Sequence, residues 1–274
     1  MAAAALVIPR TYNIASVKRP ATFIFVHGLG DTGEGLSPIA DAMSPAFPHV
    51  KWVLPTAPRM PVTANMSERM TSWFDIYSFD FRYDQSEEDR SGMLKSARTI
   101  DQLIQKEIDA GVPPERIVLG GFSQGGAMTL LAGLSARGEE GVAGGKEGWK
   151  LGGLAVLSGW LPLHSQFREM LSPKATSMPI YWGHGTSDPI VRYKAAQDSV
   201  AQLTSNLGLA LLENTTLSGD ILSSTSSTST PPAGQGNNIG ETGLCFRSYK
   251  WVGHSLCARE QQDLQEFLKR VLPE

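Results

Sequence analysis

The stretch Ile117-Val118-Leu119-Gly120-Gly121-Phe122-Ser123-Gln124-Gly125-Gly126-Ala127-Met128 holds the residue types an acyl-transfer nucleophile needs. An apolar run rich in β-branched residues meets Gly-x-Ser-x-Gly and passes into a helix-forming segment. Such a strand-to-helix elbow holds its serine in a strained backbone conformation with Oγ exposed. Positions two before and two after the serine lie where a Cβ would strike neighbouring backbone, which suits Gly121 and Gly125. The helix that follows turns its positive end toward Ser123 and favours negative charge there. In a chain with 28 glycines the bare pattern also arises by chance. It gains weight only with a base, an acid and a site for an oxyanion.

A serine nucleophile needs a base to take its proton and an acid to fix the base's tautomer. In open α/β sheets, ligands bind beyond the carboxyl ends of the strands, so loops that follow strands hold the candidates. Of the five histidines, His49 and His164 fall in or beside helices or turns, which ranks them low. His27 follows an early strand, but Gly28 and Leu29 beside it suit backbone donation better. His184 also follows a strand, and its plainer role is to bond and fix loop backbone. His254, after the last strand in Gly253-His254-Ser255, completes the order Ser…Asp/Glu…His of the elbow hydrolases. Between Ser123 and His254 the acid that follows a strand is Asp188, its turn stiffened by Pro189; Asp198 lies in a helix and Asp220 in a low-complexity segment. For the oxyanion, one N–H comes from Gln124, directly after the nucleophile, and a second from Gly28-Leu29-Gly30, with Leu29 as donor.

The elements that must carry these groups alternate along the chain. Residues 22–26 are a continuous apolar strand, and 50–54 another that ends at Pro55. Residues 154–157, 179–182 and 244–251 are further strands. Helices are expected over 38–43, 86–110, 125–136, 191–207 and 258–272, with Ser86 and Asp89 suited to capping the second and Gly111 to stopping it. Residues 56–84 lack a clean period but carry Met60, Met66, Met70, Trp73, Phe74, Ile76, Tyr77, Phe79, Phe81 and Tyr83. They read as irregular chain packing aromatics into the core, as an apolar wall able to accept an acyl chain, or as both. Residues 137–150 read as a glycine- and charge-rich surface loop, and 214–242 as a disordered Ser/Thr-rich insertion. The fold class is therefore α/β: one domain over residues 1–274, a mostly parallel sheet with helices on both faces.

The composition, 41% hydrophobic with net charge −3, shows no basic footprint for nucleic acid. Two cysteines, Cys245 and Cys257, form neither a disulfide framework nor a metal-ligand spacing, which points to a reducing compartment. The N-terminal run to Pro9 makes a poor signal peptide, and no apolar stretch approaches the ~20 residues of a membrane span. A cytoplasmic location, with the nucleus as a further one, is the expectation.

Six motifs in order, His27-Gly28-Leu29-Gly30-Asp31-Thr32-Gly33, Pro55-Thr56-Ala57-Pro58, Ser72-Trp73-Phe74-Asp75, Gly120 through Gly126, Ser158-Gly159-Trp160-Leu161-Pro162 and Gly253-His254-Ser255, resemble the acyl-protein thioesterases of the carboxylesterase/lysophospholipase group. The resemblance runs from about residue 22 to the C-terminus, interrupted by the 214–242 insertion. It implies an α/β-hydrolase fold and removal of palmitoyl groups from protein cysteines, with no metal or cofactor. It also implies Ser123 as nucleophile, Asp188 as acid, His254 as base, and Leu29 and Gln124 as oxyanion donors. Implied partners are S-palmitoylated proteins, G-protein α subunits or similar, with lysophospholipids as further substrates and transient contact with a membrane surface. An esterase of small esters or lysophospholipids on the same site is the nearest alternative. A non-catalytic binding protein of this fold, and Cys257 as nucleophile, are more distant ones.

Overall fold

The computed structural model describes the backbone of residues 7–12 and 143 and, in full, residues 19–79, 88–138, 144–212 and 239–274. In chain order the elements are β1 (Val7–Tyr12), β2 (Ala21–Val26), α1 (Ser37–Met43), β3 (Val50–Thr56), β4 (Arg59–Val62), β5 (Glu68–Thr71) and α2 (Arg90–Asp109). They continue with β6 (Ile117–Phe122), α3 (Gln124–Leu134), α4 (Ala143–Glu147), β7 (Gly153–Leu157), α5 (Phe167–Met170), β8 (Pro179–Gly185), α6 (Tyr193–Ala201), β9 (Gly243–Tyr249) and α7 (Ala258–Val271). The main sheet has the order β1-β3-β2-β6-β7-β8-β9, with β1 antiparallel at one edge and the other six strands parallel.

Both faces of the sheet are covered, as the unbroken apolar strands require. On one side lie side chains of α2, α3 and α6, among them Ile100, Leu130 and Val200, over Ile24, Leu119, Val156 and Trp182. On the other, α1 and α7 bring Ala40, Leu264 and Phe267 onto Phe23, Phe25, Val118 and Tyr181. Alternate residues of each strand feed the two cores, so β6 is held from both sides and its C-terminal end is a rigid platform for Ser123. Each such large side chain contributes about 1.5–3 kcal/mol through burial. Among the described residues no helix is long and apolar enough to cross a membrane.

Several local expectations change. Pro55 does not end β3, which runs on to Thr56. Pairing with β2 stops at Val53, and across from Pro55 the register of β1 shifts between Val7 and Arg10, so the missing N–H costs no ladder bond. β8 continues to Gly185 because β9 pairs with it that far, which places His184 on a strand rather than in a loop. Residues 56–79 are less irregular than expected, since β4 and β5 form a hairpin too short to display a period. Phe81 and Tyr83 lie outside the described residues. The 137–150 surface loop contains α4, and it is pinned: Trp149 Nε1 donates to Asp101 Oδ1 at 2.7 Å, and the Arg137 guanidinium pairs with the same carboxylate. Asp89 caps α2, accepting from Gly92 N at 2.9 Å, while Ser86 lies outside the described residues. So do residues 214–238 of the Ser/Thr-rich insertion. Its last part is described, and there Ile239 is fully buried, against the expectation of disorder to residue 242.

Candidate active site

Ser123 stands between β6 and α3 with φ 55° and ψ −119°, a conformation that L-residues avoid. Its N–H donates to Leu157 O of β7 at 2.8 Å, which ties the turn to the neighbouring strand. The two elbow glycines are required by contact. A Cβ on Gly121 would sit 2.2 Å from Gly125 O, and one on Gly125 would sit 2.1 Å from Val26 O. As a whole residue Ser123 is only 8% exposed. The Gly28 backbone crowds it, since a Cβ there would lie 3.2 Å from Ser123 Cβ.

Three loops at the carboxyl ends of β6, β8 and β9 bring Ser123, Asp188 and His254 together. His254 Nδ1 lies 2.7 Å from Asp188 Oδ2, and Nε2 lies 2.9 Å from Ser123 Oγ. A carboxylate oxygen only accepts, so Nδ1 carries the proton, and the serine hydroxyl donates to Nε2. The Asp188 side chain is fully buried while that of His254 is 18% exposed, so the pair is shielded on the acid's side. Phe122 packs against the imidazole with ring centroids 4.8 Å apart. Asp188 is further fixed by Ile190 N at 2.8 Å and Val191 N at 2.9 Å, both donating to Oδ1.

Three of the other histidines hold backbone. His184 Nε2 donates to Val191 O at 2.8 Å, clamping the loop that bears Asp188 from 3.6 Å away, and burial lowers its pKa so that it stays neutral. His27 Nδ1 donates to Gly28 O at 2.6 Å and Nε2 accepts from Ala57 N at 2.9 Å; burial lowers its pKa too. His49 Nε2 donates to Leu272 O at 2.8 Å. Half-buried His164 also has its pKa lowered by burial.

The loop carrying Leu29 is built for rigidity. Gly30 N donates to Thr71 O at 2.8 Å and Asp31 N to Gly28 O at 3.3 Å, whereas Leu29 N–H has no acceptor among the described residues. Gln124 opens α3, so its N–H likewise has no carbonyl within the helix. The Gln124 side chain, fully buried, accepts from Trp73 N at 3.0 Å and donates to Phe74 O at 2.9 Å and Ser72 Oγ at 3.0 Å. Trp73 Nε1 in turn donates to His27 O at 2.9 Å. Thus one bridge, residues 72–74, holds the elbow and the Leu29 loop in fixed relation. Sequence reasoning missed this bridge, whereas the backbone-fixing role read for His184 is the one its bond to Val191 O performs. The bridge's only signal was a polar Ser72 and an indole N–H in an apolar segment, since a buried polar group must find a partner. Trp73→Phe removes the indole N–H and part of the ring volume, and leaves His27 O unpaired. It should lower kcat about tenfold with KM little changed and a somewhat lower Tm; an unaltered kcat would show that the bridge does not set the donors.

Behind Asp188, Glu260 of α7 is fully buried. Its carboxyl is pushed up to about 8, mainly by burial, with the Asp263 and Asp188 charges adding to the rise and the Cys257 N–H opposing it. The folded chain therefore keeps a proton that the unfolded chain, at the ordinary 4.5, has released. Stability from this group is present below the ordinary value and is lost as pH rises toward 8. Tm of the wild type should fall between pH 5.5 and 8 more steeply than that of Glu260→Gln, and parallel curves would contradict this. Among the described residues no three His, Cys, Asp or Glu side chains converge as metal ligands.

Comparison with known proteins gives a consistent picture. Residues 13–225 match the family described as Phospholipase/Carboxylesterase. The chain is 40% identical over 252 residues to the Acyl-protein thioesterase 1 of Cryptococcus neoformans var. neoformans serotype D (strain JEC21 / ATCC MYA-565), covering 92% of each. It is 42% identical over 198 residues to the Acyl-protein thioesterase 1 of Schizosaccharomyces pombe (strain 972 / ATCC 24843), covering 72% of this chain and 82% of that one. The crystal structure of Zea mays acyl-protein thioesterase 2 superposes with a TM-score of 0.70 at 26% identity, over 96% of this chain and 99% of that chain.

Proposed function

The chain belongs to the phospholipase/carboxylesterase family of α/β-hydrolases, and from that premise we propose that it is a serine hydrolase removing fatty acyl groups from S-acylated cysteines of proteins. The observation that carries the reading is the hydrogen-bonded line from Asp188 through His254 to Ser123, at 2.7 and 2.9 Å, on a strained elbow. His254 takes the Ser123 proton as Oγ attacks the thioester carbonyl, and Asp188 stabilises the imidazolium that forms. The N–H groups of Leu29 and Gln124 receive the oxyanion, each worth about 10²–10³ in rate. Collapse of the tetrahedral intermediate breaks the C–S bond, and the cysteine sulfur leaves with the proton from His254. Water, deprotonated by His254, then attacks the acyl-serine; the fatty acid departs and Ser123 regains its proton.

Met70, whose sulfur lies 3.8 Å from where a Cβ on Gly30 would stand, gives the Leu29 loop an adaptable apolar neighbour suited to an acyl chain. Palmitoyl as the acyl group, G-protein α subunits among the substrates, and lysophospholipid hydrolysis as a side reaction complete the reading, together with action in the cytoplasm and nucleus. These finer points rest on resemblance in the six motifs. Comparison of kcat/KM for a palmitoyl-thioester peptide, a lysophospholipid and a short-chain ester tests the assignment. The thioester peptide should lead. A lead for either of the other two would make the chain an esterase or lysophospholipase first, and inactivity on all three would favour a binding protein.

A further inference from the structure

Trp251 stands three residues before His254, in the loop after β9, and is 78% exposed. Single exposed apolar residues are ordinary on protein surfaces, but this one is held outward. Its backbone is left-handed, φ 63°, an outlier for a bulky side chain. Trp251 N donates to Thr186 Oγ1 at 3.1 Å, Thr186 N to Tyr249 O at 2.9 Å and Ser187 N to Val252 O at 3.0 Å. These bonds stitch the loop bearing the base to the loop bearing the acid, where Ile190 is 45% exposed. The Lys250 ammonium lies over the indole, 5.2 Å from its centroid.

The charge on these two loops is one-sided. Over residues 186–194 and 250–257 the exposed charged residues are Arg192, Lys194 and Lys250. The one carboxylate in either segment, Asp188, has its side chain fully buried against His254. Lys194 is paired down its helix with Asp198 and Arg192 has a partner of its own, and Lys250 lies beside the indole as the central cation. This basic rim belongs to a chain whose net charge is −3.

We propose that the Lys250–Trp251 loop, with Ile190, docks the protein on an anionic lipid surface and so sets the mouth of the Ser123 site against the leaflet. Tryptophan suits the interfacial layer, with an apolar body and a polar N–H, and lysine is drawn to anionic headgroups. The choice of occupant rests on the proposed substrate, because a fatty acyl group on a protein cysteine is seated in a leaflet. Docking by the rim of the acid and base loops delivers that thioester to the nucleophile without extracting it through water.

The test is sedimentation of the full chain with phosphatidylcholine vesicles, with and without phosphatidylserine, beside turnover of a short soluble thioester. Wild type should bind the phosphatidylserine vesicles in a salt-sensitive way. Trp251→Ala should bind about tenfold more weakly. Lys250→Glu, which leaves the left-handed residue untouched, should bind roughly thirtyfold more weakly. Both should keep the soluble turnover. Equal vesicle binding by wild type and Trp251→Ala, or no vesicle binding by wild type, overturns the proposal. A raised KM for a soluble acyl-peptide in Trp251→Ala with unchanged vesicle binding also overturns it, and assigns the surface to the protein substrate. Vesicle binding that depends on Trp251 in a protein without thioesterase activity supports the surface and overturns the activity instead.

Discussion

Ser123→Ala is expected to lower kcat on a thioester by about 10⁴–10⁶-fold, with the melting temperature within a few degrees of wild type. The substitution removes the attacking oxygen and the hydrogen bond to His254 Nε2, and nothing else that holds the site. Alanine tolerates φ 55° no worse than serine, so the elbow keeps its shape and the Leu157 carbonyl keeps its N–H partner. The oxyanion donors remain, which is why residual catalysis above water is expected rather than none. Labelling by a fluorophosphonate should vanish in parallel. Turnover within tenfold of wild type, or persistent labelling, would remove Ser123 from the nucleophile's role.

Asp188→Asn should cost about 10⁴-fold in kcat while leaving KM nearly unchanged. The amide is close in size to the carboxylate, and its oxygen can still accept from Ile190 N and Val191 N, so the loop should hold. What fails is the tautomer. An NH₂ facing His254 Nδ1 demands a lone pair there, which moves the imidazole proton to Nε2, where it blocks removal of the serine proton. The imidazolium formed during attack also loses its neighbouring charge. A drop of tenfold or less would mean that Asp188 only positions the ring. Glu260 does not replace the lost charge, because its carboxyl, pushed up to about 8, keeps its proton and bears no hydrogen bond to His254 among the described residues.

How far the sequence discloses this site depends on which contacts are local. Gly121 and Gly125 announce themselves because backbone presses on them from both sides, so only glycine fits. His254 and Asp188 follow from the position of their loops after β9 and β8, together with chain order. The bridge at 72–74 has no such address: Trp73 meets His27, and Gln124 meets Trp73, over separations of 46 and 51 residues. The same holds for Asp101, which gathers Trp149 and Arg137 and turns an expected surface loop into a fixed one. Pairing overrides local chemistry at strand ends, as at Pro55 in β3 and His184 in β8. β1 has no local signature, since Val7-Ile8-Pro9-Arg10-Thr11-Tyr12 lacks alternation and becomes a strand only by pairing with β3. Periodicity thus revealed the layered sheet and the loops that follow its strands, and side-chain hydrogen bonds across the layers did the rest.

The most direct measurement is to mix the protein with a palmitoyl-thioester peptide, quench within a single turnover and map the acyl group by peptide mass. A palmitoyl adduct on the peptide bearing Ser123, absent in Ser123→Ala, is the expected result. An adduct on the peptide bearing Cys257, or product formation with no acyl-enzyme on Ser123, would contradict a serine nucleophile at the elbow.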